Sequence, residues 1–472
     1  MSESPIALDK RRPGSIYETN MSPTAIDDLR GIRTFARGVH PPSLKHLARE
    51  VPVEVLPSPG AVTVPLLQHT GAPCEPLVKP KQAVTLGQKI GSSETFISAA
   101  VHASIAGVVQ MGSVATLPNG RHVRTIPIQA DGQQLAGKAL WEDVFGGDWP
   151  TDAAGRLEPS AIVQAVREAG VVGLGGAAFP THVKITPNPK KPVDTLLVNG
   201  CECEPYLTAD YRLMLEAPGP IVAGAMLAAH ACGAGRIVLA VEDDKPAAAE
   251  AMEKAAGGTP LRVVVVKTKY PMGGERQLVL AVLKREVPTG GLPLDVGVVV
   301  MNVGTAAAVA RAVLRGKPLT HRIVSVTGRG VAIPKNLLVP IGVSYGELIQ
   351  YCGGLTPQAA RVLAGGPMMG QAVPALSAPV TKGTSGVVVL TEEDVRQVQE
   401  TSCVRCGRCV DVCPLRLVPT KIALASRHKD WDLARRYYVT ACCECGCCAY
   451  VCPARIPLTQ LIRVGKAHLP KN

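Results

Sequence analysis

CVRCGRCVDVCP (residues 403–414) and CCECGCCAYVCP (residues 442–453) carry one spacing twice, C-x2-C-x2-C-x3-C followed by proline. This run holds [4Fe–4S] clusters: three closely spaced thiolates wrap one face of a cubane, and the fourth cysteine reaches across to the other cluster. The spacing therefore assigns Cys403, Cys406, Cys409 and Cys452 to one cluster and Cys413, Cys442, Cys445 and Cys448 to the second. Zinc knuckles are the competing reading, but they use two C-x2-C pairs with a longer gap and lack the third cysteine and the C-P ending. Cys443 and Cys447 fall outside the repeat and are expected not to ligate. ALASRHKDWDLARRYYV, between the two motifs, has helical apolar spacing, so a helical two-cluster domain is expected.

Working outward, 472 residues allow several cores, with three or four domains as the prior. Hydrophobic residues make up 46% and aromatics only 3%, so the cores must rest on Val, Leu, Ile and Ala, which suits α/β and all-β modules. The net charge of +12 suits nucleic acid, an anionic membrane face or an acidic protein partner. Nucleic acid is disfavoured because no helicase P-loop, RNP-like motif or basic–aromatic interleaving is present. Residues 1–30 are charged and lack the apolar core of a signal peptide. The most apolar stretches, 221–241 and 297–316, are interrupted by His230, Arg236, Arg311, Arg315 and several glycines, and read as buried α/β core. A cytoplasmic protein is expected, where fifteen cysteines speak for metal in place of disulfides.

GVVGLGGAAFPTHVK (residues 170–184) contains Gly173-x-Gly175-x-x-Ala178. A dinucleotide fingerprint needs a strand before it and a helix opening on it. Here a helical pattern precedes it and Phe179-Pro180 breaks the turn that follows. What remains is a run of small residues whose amides can approach a phosphate, with Lys184 in reach as a cation; the alternative is a tight turn between packed elements. Three further strand-to-loop junctions follow. One is a strand at 195–198 ending in Asn199, Glu202 and Glu204. The others are Gly273-Gly274-Glu275 before an apolar helix, and a buried strand ending at Asn302 before a helix near Thr305. Each alone is explained by turn or cap chemistry; together they can line one crevice.

These residues resemble a known family. The glycine loop with Phe-Pro-Thr and Lys, then Asn-x-x-Glu-x-Glu-Pro, Gly-Glu and Asn-Val, is similar to the flavin- and NADH-binding subunit of respiratory complex I. With GVHPP (residues 38–42), NGCECEPYLTADYRLM and the paired cysteine motifs, the chain resembles more closely the RnfC family of the Rnf (Rsx) electron transport complexes. The resemblance spans about residues 30–460. It implies non-covalent FMN, NADH as substrate, and two [4Fe–4S] clusters. By positional match, Gly173, Gly175, Gly176 and Lys184 would meet the flavin phosphate. Asn199, Glu202, Glu275 and Asn302 would line the flavin site, and Phe179 and Glu204 would face the nicotinamide nucleotide. Cys201 and Arg276 depart from the acidic residues of complex I flavin subunits. No residue is expected to act as an obligatory acid–base catalyst.

The implied architecture is a multidomain α/β protein. An N-terminal arm (1–45) precedes a barrel-sandwich, lipoyl-like module (46–150) without an attachment lysine, because Lys89 lies in GQKIG. An FMN/NADH-binding, Rossmann-like α/β domain (151–320), a β-grasp (SLBB) module (321–375) and a ferredoxin-like two-cluster domain (376–472) follow. The implied role is NADH oxidation at the cytoplasmic face of the bacterial inner membrane. There the chain would be a peripheral partner of integral-membrane subunits, in a complex coupling NADH and ferredoxin (or flavodoxin) redox to ion translocation. The basic side chains Arg416, Lys421, Arg427, Lys429, Arg435, Arg436, Arg455 and Arg463 would serve docking or form a solvated face. A soluble flavin and iron–sulfur cobalamin reductase shares much of this pattern and is the alternative.

Overall fold

The computed structural model describes residues 33–395 and 399–469. Residues 1–30, on which the lack of a leader was read, and most of the expected arm lie outside the described residues.

Four parallel strands lie in the order Leu261–Val266, Arg236–Glu242, Thr195–Asn199, Val298–Asn302. The inner strands are almost wholly buried runs of aliphatic residues, as a parallel sheet covered on both faces requires. The chain winds outward from Thr195–Asn199 to Leu261–Val266 and then returns to place Val298–Asn302 on the other side of Thr195–Asn199, so the winding reverses between these two strands and their gap is the topological switch point. Asn199 and Asn302 are register partners at its carboxyl end.

The stretch 221–241 resolves into the helix Pro218–Cys232, ended by Gly233 at φ +77°, and the strand Arg236–Glu242. The stretch 297–316 is likewise a strand and the helix Val303–Arg315. The two helices touch closely: a Cβ on Gly224 would lie 1.7 Å from the Ala306 carbonyl oxygen. Among the described residues no single helix is long and apolar enough to cross a membrane. The pair Ala209–Glu216 and Pro218–Cys232, which would qualify together, bends by 96° and packs into the main core.

The barrel-sandwich half is built from Ala61–Pro65, His122–Ala130, Gly107–Val109 and Ala83–Val84, facing a small sheet of Glu75–Pro76, Lys89–Ser92 and Val101–His102. Val62, Val64, Ile90, Ile126 and Ile128 fill it. Lys89 lies in a strand and pairs with Glu168 of the α/β domain, so its ammonium is engaged in a contact between modules. The β-grasp sheet extends beyond its expected span in both directions. Val53–Val55 pairs with Lys335–Pro340, and Gly386–Thr391 inserts between His321–Thr327 and Ala359–Ala364. Both added strands lie outside residues 321–375, and strand pairing at such range leaves no local mark in the sequence. Ser344 and Glu347 form a capping box on Tyr345–Tyr351.

The C-terminal repeats fold alike. Gly407 and Gly446, both at positive φ, open the short helices Arg408–Asp411 and Cys447–Tyr450. The hydroxyls of Thr420 and Thr459 approach Cys409 Sγ (3.8 Å) and Cys448 Sγ (3.9 Å) in matching positions. The linking segment, expected to be helical, forms two helices, Pro419–Arg427 and Trp431–Arg436. Lys429 at φ +59° breaks them, and the Asp430 carboxylate caps the second by accepting the Leu433 amide at 2.9 Å.

Candidate functional site

The glycine loop closes on itself as a small hairpin. The Gly173 amide donates to Phe179 O (2.8 Å), Thr181 N to Val171 O (3.0 Å), and Val172 bridges Pro180. It has no strand–turn–helix form, in keeping with the rejection of a dinucleotide fingerprint. Gly175, Gly176 and Ala177 are exposed at the tip, with Gly176 at φ +110° and Ala178 at φ +49°. Leu174 N donates to Thr305 Oγ1 (2.8 Å), which pins the loop to the start of Val303–Arg315. Asn302 caps that helix through Gly304 N (2.9 Å), and its Cβ lies 3.5 Å from where a Gly175 side chain would begin. Among the described residues the amides of Gly175, Gly176, Ala177 and Ala178 meet no acceptor. Consecutive free amides beside the N-terminus of a thirteen-residue helix form a nest for an anion, so the loop fits a phosphate.

The other junctions meet at the switch point. Lys184, on the short helix Thr181–Ile185, donates to Glu275 Oε1 (2.5 Å) and Val300 O (3.2 Å). Asn199 Nδ2 donates to Gly273 O (2.9 Å), while its Oδ1 accepts the Cys201 amide (3.1 Å). Asn302 Nδ2 donates to Asp210 (2.7 Å). Burial and the nearby Glu202 carboxylate push the Asp210 carboxyl well above the usual range.

Glu202 and Glu204 have local work. The Glu202 carboxylate accepts the Asp210 and Tyr211 amides (2.8 and 3.2 Å), capping Ala209–Glu216. Glu204 accepts the Met368 and Met369 amides (3.0 and 2.8 Å) from the β-grasp module, and burial raises its carboxyl to about 7. Both sit on a turn with Glu202 at φ +46° and Tyr206 at φ +70°, held by buried Lys45, which donates to the carbonyls of Glu202, Glu204 and Leu207. Phe179 is half-buried and holds the loop through its backbone. The two departures from the complex I pattern are structural: Cys201 is wholly buried, and Arg276 binds the carbonyls of Pro288 (3.0 Å) and Gly291 (2.7 Å).

A continuous path leads from this crevice to the cysteines. The Cys203 thiol accepts the Gly273 amide (3.2 Å), and Cys203, Val39, Tyr270, Cys445 and Cys447 form one apolar cluster. Tyr270 OH donates to Cys445 O (2.7 Å). The GVHPP segment staples this junction: Val39 pairs with Tyr270 on both sides, and the Gly38 amide reaches Val412 O (3.0 Å). Gly38 needs its positive φ, since a Cβ there would lie 2.6 Å from Tyr270 O.

None of the fifteen cysteines forms a disulfide. One cavity is lined by Cys413, Cys442, Cys445 and Cys448 together, with Cys443 and Cys447 also on its wall. Among the described residues no three His, Cys, Asp or Glu side chains converge on a single ion. Thiols standing around a cavity suit a cubane, in which each thiolate takes its own iron corner. Cys409 and Cys452 pack in the core of the same domain with Cys403 at its edge, whereas Cys406 is exposed between exposed Arg405 and Arg408. Among the basic residues, Arg427 pairs with Glu400, Arg435 with Asp432 and Arg463 with Glu444, while Arg416, Lys421, Lys429, Arg436 and Arg455 are exposed.

Sequence reasoning missed Asp210, Lys45 and Tyr270, and it named Thr305 only as a helix start, not as the anchor of the glycine loop. Asp210 lay within NGCECEPYLTADYRLM, but nothing local linked it to Asn302. Lys45 and Tyr270 join segments far apart in the chain.

Family models match four consecutive parts: the RnfC barrel sandwich hybrid domain at residues 33–133, the Nuo51 FMN-binding domain at 166–311, the SLBB domain at 323–372 and the 4Fe-4S binding domain at 396–416. The C subunit of the proton-translocating ferredoxin:NAD(+) oxidoreductase complex of Clostridium ljungdahlii is 42% identical over 409 residues, 86% of this chain and 87% of that one. Its counterpart in the Na(+)-translocating ferredoxin:NAD(+) oxidoreductase complex of Acetobacterium woodii is 42% identical over 400 residues, covering 84% and 88% of the two chains. One chain of an NAD+-reducing [NiFe]-hydrogenase structure superposes with a TM-score of 0.46 at 23% identity, over 68% of this chain and 65% of that one. With identity of this order to the two ferredoxin:NAD(+) oxidoreductase relatives sustained over nearly the whole of each, the chain belongs to the RnfC family of ion-translocating ferredoxin:NAD(+) oxidoreductase complexes.

Proposed function

We propose that this chain is the peripheral, NADH-oxidising subunit of a membrane-bound complex that exchanges electrons with ferredoxin and couples this to ion movement, docked on the cytoplasmic face. The observation that carries it is the unbroken contact from the glycine-loop crevice through Gly273, Cys203 and Tyr270 to Cys445. The residues present fit the cofactors. The free amides of the loop tip and the helix N-terminus behind them would hold the flavin phosphate. Lys184 would add a cation toward the phosphate, and Asn199, Glu202, Glu275 and Asn302 would line the flavin site, with Asp210 holding the Asn302 amide. Bound FMN supplies the conversion between the electron pair of a hydride and the single electrons of a cluster.

The protein's own contribution is position and exclusion of water. The Lys184–Glu275 pair sets the charge at the crevice wall, and Tyr270 and Cys203 close the apolar side toward the cysteines. Cys413, Cys442, Cys445 and Cys448 would hold the nearer cluster. Cys403, Cys406, Cys409 and Cys452 would hold the outer one, whose exposed Cys406 edge, flanked by Arg405 and Arg408, would face an acidic partner. Glu204 is set aside as a direct nicotinamide contact, since its carboxylate is engaged by Met368 and Met369.

Anaerobic purification with iron, sulfide and flavin assays tests the reading. About eight iron atoms per chain, bound FMN and bleaching of the visible spectrum by NADH are expected. Two zinc atoms and no flavin would overturn it, and full activity with cobalamin but no membrane partners on co-purification would favour the soluble reductase.

A further inference from the structure

Four carbonyls of the glycine loop are held by groups that come from the other two modules. Buried Lys382, just before the last strand of the β-grasp sheet, donates its ammonium to Gly170 O (2.7 Å) and Ala100 O (2.6 Å). Its own carbonyl accepts from Arg322, whose second nitrogen reaches Leu174 O at 3.4 Å. Gly383 lies against the loop, and a Cβ there would come within 3.3 Å of Ala178 Cβ and 3.4 Å of Gly176 O. From the barrel-sandwich side, Thr70 donates its amide to Ala178 O (3.1 Å) and its hydroxyl to Ala177 O (3.1 Å), while Gln68 holds the Lys382 amide (3.1 Å). The carbonyls of Gly170, Leu174, Ala177 and Ala178 are thus each engaged by a donor of another module.

We propose that Lys382, Arg322 and Thr70 are positioning residues for phosphate binding: they fix the loop with its carbonyls outward and its amides toward the ligand. A loop free to rotate its peptides would present carbonyl oxygens to an anion, and repulsion would replace attraction. Lys382 and Arg322 place two buried basic groups behind the loop, held by carbonyls on the loop side, and the Asp210 carboxylate favours the charged form of Arg322. Burial draws the Lys382 ammonium down to about 7, as for a cation whose charge no neighbouring carboxylate offsets. On this view the β-grasp and barrel-sandwich modules set flavin affinity without contacting the ring.

The inference rests on the flavin reading above, and comparing FMN with riboflavin separates the two. The flavin-depleted full chain with its clusters is titrated with FMN and with riboflavin, which lacks the phosphate, by quenching of flavin fluorescence. Lys382→Met is expected to weaken FMN binding by roughly tenfold or more and Thr70→Val by about threefold, the scale of lost charged and neutral hydrogen bonds. Riboflavin binding should stay within about twofold of the unmodified chain in both, since the ring site is untouched. Equal weakening of FMN and riboflavin, or unchanged FMN binding, overturns the inference. Thr70 is exposed, so Thr70→Val decides the matter alone if Lys382→Met fails to fold. If the unmodified chain takes up no FMN, the flavin reading itself falls and this inference with it.

Discussion

Replacing Lys45 by Met should unfasten the turn that carries Glu202 and Glu204 while leaving the sheet beneath it intact. The ammonium is buried and donates to Glu202 O at 2.8 Å, Glu204 O at 2.9 Å and Leu207 O at 2.5 Å. Hydrogen bonds from a charged donor contribute about 1.5–3 kcal/mol each, so three lost together cost about 4.5–9 kcal/mol. Against this, Met no longer carries a charge into the interior, which returns several kcal/mol of desolvation; burial already draws the Lys45 pKa below its ordinary value. The net cost is about 3 kcal/mol, felt locally because Glu202 and Tyr206 hold positive φ only under this constraint. Local opening should then rise about a hundredfold. The reporters are the Tyr206 amide, which donates to Ser43 O at 2.8 Å, and the Thr208 amide, which donates to Ser325 Oγ at 2.9 Å. Hydrogen–deuterium exchange by mass spectrometry on peptides covering residues 200–210 reads both. Exchange within roughly threefold of the unmodified chain would refute the view that one ammonium holds this turn.

Three other outcomes follow from the geometry. The Glu204 carboxyl titrates near 7 in the folded chain against an ordinary 4.5, so the folded state keeps a proton that the unfolded chain loses between those values. Its stabilising share is full below about 4.5 and falls away as pH rises toward 7; Glu204→Gln should flatten that slope in thermal midpoints measured from pH 5 to 8, and an unchanged slope would count against it. Gly224→Ala places a Cβ 1.7 Å from Ala306 O between the two main helices, which should cost about 1–3 kcal/mol or more and lower the melting midpoint by several degrees; an unaltered midpoint would deny the close approach. Cys413→Ser should remove the cluster of the second motif and Cys452→Ser that of the first, each leaving about four irons per chain with electron paramagnetic resonance showing which centre survives. Loss of the cluster of its own motif in each case would mean that the fourth ligands do not cross.

The sequence by itself determined the parts whose chemistry is local. Thiol spacing points to the first three cysteines of each repeat as the set that would wrap one cubane, with the fourth left to reach the other cluster. The runs Thr195–Asn199 and Val298–Asn302 read as buried strands because they are aliphatic nearly throughout, and each ends in a polar residue where a ligand site would begin. What tertiary structure alone decided is how those ends meet. The strand order that makes Asn199 and Asn302 partners at a switch point comes from pairing across about a hundred residues. So do the insertion of Gly386–Thr391 into the β-grasp sheet, the Asn302–Asp210 contact and the grip of Lys382 on the glycine loop, each a contact between distant segments. A buried lysine bonded to carbonyls has no sequence signature, since its partners are backbone atoms that every residue possesses. The residue identities show what chemistry the chain can hold, and the fold decides which of those groups still face the crevice after the rest have been used to build it.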